Sequence, residues 1–184
     1  LVSNGSIAIA MALRAAGVEP GDEVIFQPYT CYANVDPVLQ VGGVPVFVDI
    51  DPETYCIDVG RIEEKVTSRT RAIIAIHWGG RPADLDTLCR IARKHELILI
   101  EDAAVAQGAE WKGRKVGNMG LLSTFSFGCG KQMSCGEAGM VLTSNKRLAN
   151  KCYALRDRGR NSKGEVCEIG WNCRVSEILA GFLL

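Results

Sequence analysis

The chain has 184 residues, 21 basic against 21 acidic side chains, and 47% apolar residues. At this length one domain with a sizeable core is expected. Balanced charge without a Lys/Arg cluster argues against a nucleic-acid face, and no apolar run approaches the roughly 18–20 residues of a spanning helix.

Strand-like and helix-like segments alternate along the chain. A helix is predicted over Ser6–Ala16, stopped by Gly17. Residues 23–27 (EVIFQ) read as a buried strand, 30–41 fit a helix, and 44–50 (VPVFVDI) form a second strand. Asp58 can cap a short helix with Ile62 and Val66 on one face. Residues 71–78 (RAIIAIHW) are a third strand. Asp84 caps a helix carrying Leu85, Leu88, Ile91 and Ala92, and 97–101 (LILIE) are a fourth strand. Short strands follow at 123–127 and 139–143, then helices at 145–157 and from Val175 onward. Alternating elements with strands apolar on both faces predict an α/β fold, a sheet covered by helices on both sides.

Eight cysteines are scattered at 31, 56, 89, 129, 135, 152, 167 and 173, with no C-x-x-C spacing. Reduced cytosolic thiols serving as small hydrophobes fit this better than a disulfide frame or a zinc site. No secretory signal pattern is visible, and the expected location is cytoplasmic.

One lysine stands apart. Between Val116 and Gly136 the only charged residue is Lys131, in VGNMGLLSTFSFGCGKQMSCG. Its neighbours Leu121, Leu122, Phe125, Phe127 and Met133 favour a buried loop, where an amine becomes a nucleophile. Other polar residues fall at strand ends, where open α/β sheets bind ligands. Asn4-Gly5-Ser6 opens the first helix, either as a phosphate site or as a simple serine cap. Asp102 follows a buried strand, where a carboxylate needs a cation or hydrogen bonds; a protonated pyridine nitrogen is one such cation, a turn or helix cap the plain alternative. Ser126 meets a phosphate or caps its strand. His77, at the end of the third strand, reads as a satisfied structural residue.

In order, NGSIAIAMALRAAGVEPGDEVI, LILIEDAAVAQGAEWKGRKVGNMG, FSFGCGKQMSCGEAGMV and GWNCRVSEI resemble the large domain of the DegT/StrS-type sugar aminotransferases, fold type I pyridoxal-phosphate enzymes. The resemblance runs the length of the chain. It implies a three-layer α/β/α large domain with a mostly parallel mixed sheet over residues 1–184. An N-terminal segment and a C-terminal small domain would then lie outside the chain, as its abrupt ends LVSNGS and SEILAGFLL also suggest.

The resemblance further implies that Lys131 carries pyridoxal 5'-phosphate and shuttles a proton, and that Asp102 pairs with the pyridine nitrogen. Ser126 and the amides of Ser6 and Ile7 would hold the phosphate, and Asn172 would reach the cofactor of a second subunit in a homodimer. The implied reaction moves an amino group from glutamate or glutamine to a keto sugar, nucleotide-linked, or to a cyclitol. Another fold type I reaction and a non-catalytic regulatory paralogue remain open. Two positions depart from the pattern: Cys31 stands where an aromatic stacks on the ring, and Val105 where Gln or His meets the 3-hydroxyl. Cys173 stands where an aromatic is common.

Overall fold

The computed structural model describes residues 1–183. Eight strands occur in chain order: β1 (Glu23–Phe26), β2 (Val44–Phe47), β3 (Thr70–Ile76), β4 (Ile98–Asp102), β5 (Glu110–Trp111), β6 (Arg114–Lys115), β7 (Leu122–Ser126) and β8 (Gly139–Leu142). The helices are α1 (Gly5–Ala16), α2 (Val35–Gln40), α3 (Leu85–Lys94), α4 (Lys146–Arg156) and α5 (Glu177–Gly181). Six strands form one sheet in the order β2-β1-β3-β4-β7-β8. All neighbours pair in parallel except β7 with β8, which pair antiparallel, Ser126 opposite Gly139.

Both faces of the sheet are covered, which gives the three layers expected. Ile9 and Leu13 of α1, Val38 of α2 and Leu148 of α4 pack on Val24, Phe26, Ile74 and Ile100. Leu85, Leu88 and Ile91 of α3 pack on Ile25, Ile73, Ala75 and Leu99. Successive residues of β1 and β3 thus serve opposite cores, which explains their unbroken apolar runs. Each Leu or Ile fully buried this way contributes about 1.5–3 kcal/mol. α1 ends where expected: Gly17 takes a left-handed conformation at φ 90° and donates to the Arg14 and Leu13 carbonyls.

The expected helix after Asp58 is instead two 3-10 turns, Val59–Arg61 and Glu63–Lys65. Asp58 Oδ1 accepts from Gly60 N at 2.9 Å, and this early capping bond with a glycine in the first turn favours the tighter winding. Ile62 is nonetheless fully buried. The helix expected from Val175 begins after the Ser176 cap and runs only five residues; Leu184 lies outside the described residues. All eight cysteines are free thiols; Cys56, Cys135 and Cys173 are buried, whereas Cys31, Cys129 and Cys167 are exposed and do not serve as small hydrophobes in a core. No helix among the described residues is long and apolar enough to cross a membrane.

Candidate active site

A cleft of about 470 Å³ opens at the carboxyl edge of the sheet, lined by Ser6, Cys31, Asn34, Asp102, Ser126 and Lys131 among others. It collects residues from the start of α1, the segment after β1, the ends of β4 and β7, and the β7–β8 loop. A smaller cavity of about 220 Å³ lies between α1, β8 and α4, beside Met11, Val141 and Arg156, and holds none of the candidate residues.

At one end of the cleft stands the amino end of α1. Asn4, not Ser6, is the cap: its Oδ1 accepts from Ile7 N at 2.9 Å. Ile7, expected to offer its amide to a phosphate, has that amide engaged by the cap. The amides of Gly5 and Ser6 have no acceptor among the described residues, and both residues line the cleft. Ser126 packs against this turn so closely that a Cβ on Gly5 would sit 2.8 Å from the Ser126 Cβ. Two free amides at a helix amino end, beside the hydroxyl-bearing Ser6 and Ser126, form a cup for a phosphate.

Asp102 closes β4 and is buried, 5% exposed. Its Oδ1 accepts from Ala104 N at 3.0 Å and its Oδ2 from Asn34 Nδ2 at 2.9 Å. Among the described residues it makes no ion pair. A buried carboxylate held only by neutral donors leaves its charge uncompensated, and a cationic N–H entering the cleft supplies what is missing. Phosphate cup, anionic wall and amine share one cleft, so the residues present fit pyridoxal phosphate.

Lys131 lies on the loop between β7 and β8. The expectation of a buried loop is corrected here. Lys131 is half-buried, while Cys129, Gly130, Gln132, Met133 and Ser134 around it are exposed. The apolar neighbours that suggested burial divide: Leu122 and Phe127 face the core, but Met133 is 50% exposed. The loop is tethered by Lys131 N donating to the Gly128 carbonyl at 3.2 Å and by Gln132 Nε2 donating to the Val105 carbonyl at 2.7 Å. Lys131 makes no ion pair among the described residues.

Thus Ser6, Ile7, Asp102, Ser126 and Lys131 come together around one cleft, whereas Asn172 does not line it. Asn172 is exposed and bridges in antiparallel fashion to Asp157. Cys31 lines the cleft as an exposed thiol; Val105 is outside its lining.

Behind the site, the residue before Asp102 points to the other face of the sheet. Glu101 is wholly buried and accepts from Gly117 N at 2.7 Å, Met119 N at 2.7 Å and Gly120 N at 2.6 Å. His77 Nδ1 accepts from Ala83 N at 3.1 Å, so its proton sits on Nε2 and is donated to Glu101. The structural reading of His77 holds, and the supporting role of Glu101 is one that sequence reasoning missed.

The model of the DegT/DnrJ/EryC1/StrS aminotransferase family matches residues 1–184. GDP-perosamine synthase of Escherichia coli O157:H7 is 40% identical over 181 residues, covering 97% of this chain and 50% of that protein. L-glutamine:scyllo-inosose aminotransferase of Streptomyces griseus is 43% identical over 169 residues, covering 92% of this chain and 40% of that protein. The chain therefore spans about half the length of the curated relatives it matches. Among solved structures, NtdA from Bacillus subtilis with bound cofactor PMP superposes with a TM-score of 0.93 at 35% identity, over 98% of this chain and 42% of that one.

Proposed function

Because the chain belongs to the DegT/DnrJ/EryC1/StrS aminotransferase family, which is pyridoxal-phosphate-dependent, we propose that it is the cofactor-binding part of a transaminase. The amino group passes from glutamate or glutamine to the keto group of a sugar, nucleotide-linked, or of a cyclitol. The observation that carries this reading is the single cleft in which Lys131, Asp102 and the amino end of α1 meet. The two acceptor classes follow from relatives named for a GDP-sugar product and for a cyclitol substrate.

Bound pyridoxal phosphate supplies an electron sink for the carbon that gains or loses nitrogen. The chain's own residues do the rest. The amides of Gly5 and Ser6, with the Ser6 and Ser126 hydroxyls, bind the phosphate. Asp102 holds a proton on the ring nitrogen. Lys131 Nζ would carry the proton between the reacting substrate carbon and the cofactor, the acid–base task of both half-reactions. Homodimer formation is part of the proposal. Asn172 is exposed, and Ile169, Ile178 and Phe182, at 88%, 77% and 74% exposure, are large apolar side chains that a second copy would cover.

The test is borohydride reduction of the protein incubated with pyridoxal phosphate, followed by peptide mapping. A pyridoxyl adduct on Lys131 is expected, and an adduct on a different lysine defeats the assignment. Glutamine and glutamate offered to the full-length protein with a panel of keto-sugar nucleotides and keto-cyclitols then separate the two acceptor classes.

A further inference from the structure

Asn34 reaches the cleft for local reasons. It ends the 3-10 turn Tyr32–Asn34 and leads directly into α2. The residue is only 3% exposed. Nδ2 donates to Asp102 Oδ2 at 2.9 Å, across 68 residues of sequence, and to Thr30 Oγ1 at 3.0 Å. This bond fixes the amide's orientation, since a flipped group would set its oxygen against the carboxylate. Oδ1 is then buried without a donor among the described residues, on a residue that lines the cleft. Buried amide oxygens are seldom left so.

A buried carboxylate without a cation and a buried amide oxygen without a donor therefore line the same cleft. Both Asp102 oxygens are already oriented, one by Ala104 N and one by Asn34. Resting on the cofactor reading above, we infer that Asn34 is a positioning residue: it aims the Asp102 carboxylate at a protonated ring nitrogen and keeps Oδ1 for the donor that arrives with it. The side chain acts through Asp102. A neutral amide does this without adding a second negative charge beside the carboxylate, which an aspartate would do.

The inference makes the effect of Asn34 depend on one atom of the ligand. Dissociation constants are measured for pyridoxal phosphate and for its analogue with carbon in place of the ring nitrogen. The proteins compared are the unaltered one, Asn34→Asp and Asn34→Leu. Asn34→Asp keeps the shape, removes the donor and sets a second carboxylate against Asp102, which disturbs its aim; Asn34→Leu keeps the approximate volume and removes both polar atoms without adding charge. Both variants should bind pyridoxal phosphate about tenfold more weakly. The carbon analogue should bind all three proteins alike, which also reports that the cleft is intact. Equal weakening of both ligands overturns the inference, because Asn34 would then only shape the wall. Unchanged affinity for both ligands overturns it too. Failure of the unaltered protein to bind either ligand is a different result, and it removes the cofactor reading itself.

Discussion

His77 donates through Nε2 to Glu101 Oε2 at 3.1 Å, with both side chains wholly buried. Glu101 stands one residue before Asp102 on β4, so the strand that carries Asp102 into the cleft is anchored by a second carboxylate on its other face. Glu101 also gathers the turn at 117–120 onto the sheet through three amides.

Burial pushes the Glu101 carboxyl up, but hydrogen bonds from His77 and from the amides of Gly117, Gly120 and Met119 outweigh it and hold the group below its ordinary value. A lowered folded value means stability that is complete above the unfolded value of about 4.3 and is lost as pH falls through the folded one. Glu101→Gln should cost about 1–3 kcal/mol at pH 7, since it leaves buried donors facing an amide. Urea denaturation at a series of pH values checks both statements. The unaltered protein should lose stability below about pH 4.3, and the variant should show a flatter dependence there. Parallel curves for the two proteins would remove Glu101 from this role.

Asp102→Asn tests the other side of β4. The amide preserves shape and the Ala104 contact but brings no negative charge to the ring nitrogen. Some cofactor should remain bound, while turnover should fall by about 100-fold or more, the scale for losing one preorganised electrostatic partner. Steady-state rates of the full-length protein beside cofactor occupancy by absorbance separate the two effects. Near-normal turnover would show that the charge at 102 is not needed.

Much of this arrangement is legible in the sequence, for physical reasons. β1, β3 and β4 are buried on both faces, so their apolar runs are continuous, and the left-handed stop at Gly17 demands a glycine. The β5–β6 hairpin escaped because each strand is two residues long and its turn is made by Lys112 and Gly113, at φ 49° and 77°. The first of these is not one of the residues that usually mark such turns. The exposure of the Lys131 loop is not legible in the sequence, because apolar content does not say which side of a short segment faces water. Asn34 left no signal at all. Its partner lies 68 residues away, and only the fold brings the two together.

The close approach of Ser126 to Gly5 gives a third prediction. A Cβ at position 5 would lie 2.8 Å from the Ser126 Cβ, a rigid atom next to backbone, so the first turn of α1 and the end of β7 must separate. Gly5→Ala should therefore spoil the phosphate cup and weaken pyridoxal phosphate by about tenfold, the loss of roughly one charge-assisted hydrogen bond. Pyridoxal without its phosphate should bind the variant and the unaltered protein equally. Equal losses for both ligands would place the damage elsewhere than in the cup.

Cys31 offers the opposite kind of test, a gain. It is an exposed thiol on the cleft wall, immediately before the turn that carries Asn34. A thiol presents little flat surface to an aromatic ring, whereas a phenyl group there can stack on one. Ring stacking contributes about 0.5–1.5 kcal/mol beyond area burial, so Cys31→Phe should tighten pyridoxal phosphate by roughly 2- to 12-fold. Cys31→Ala should leave affinity unchanged, which separates the added ring from the lost sulfur. Fluorescence titration of the three proteins reads the outcome. If Cys31→Phe binds more weakly than Cys31→Ala, the cleft is fitted to its small residue, and position 31 is not a stacking site in this chain.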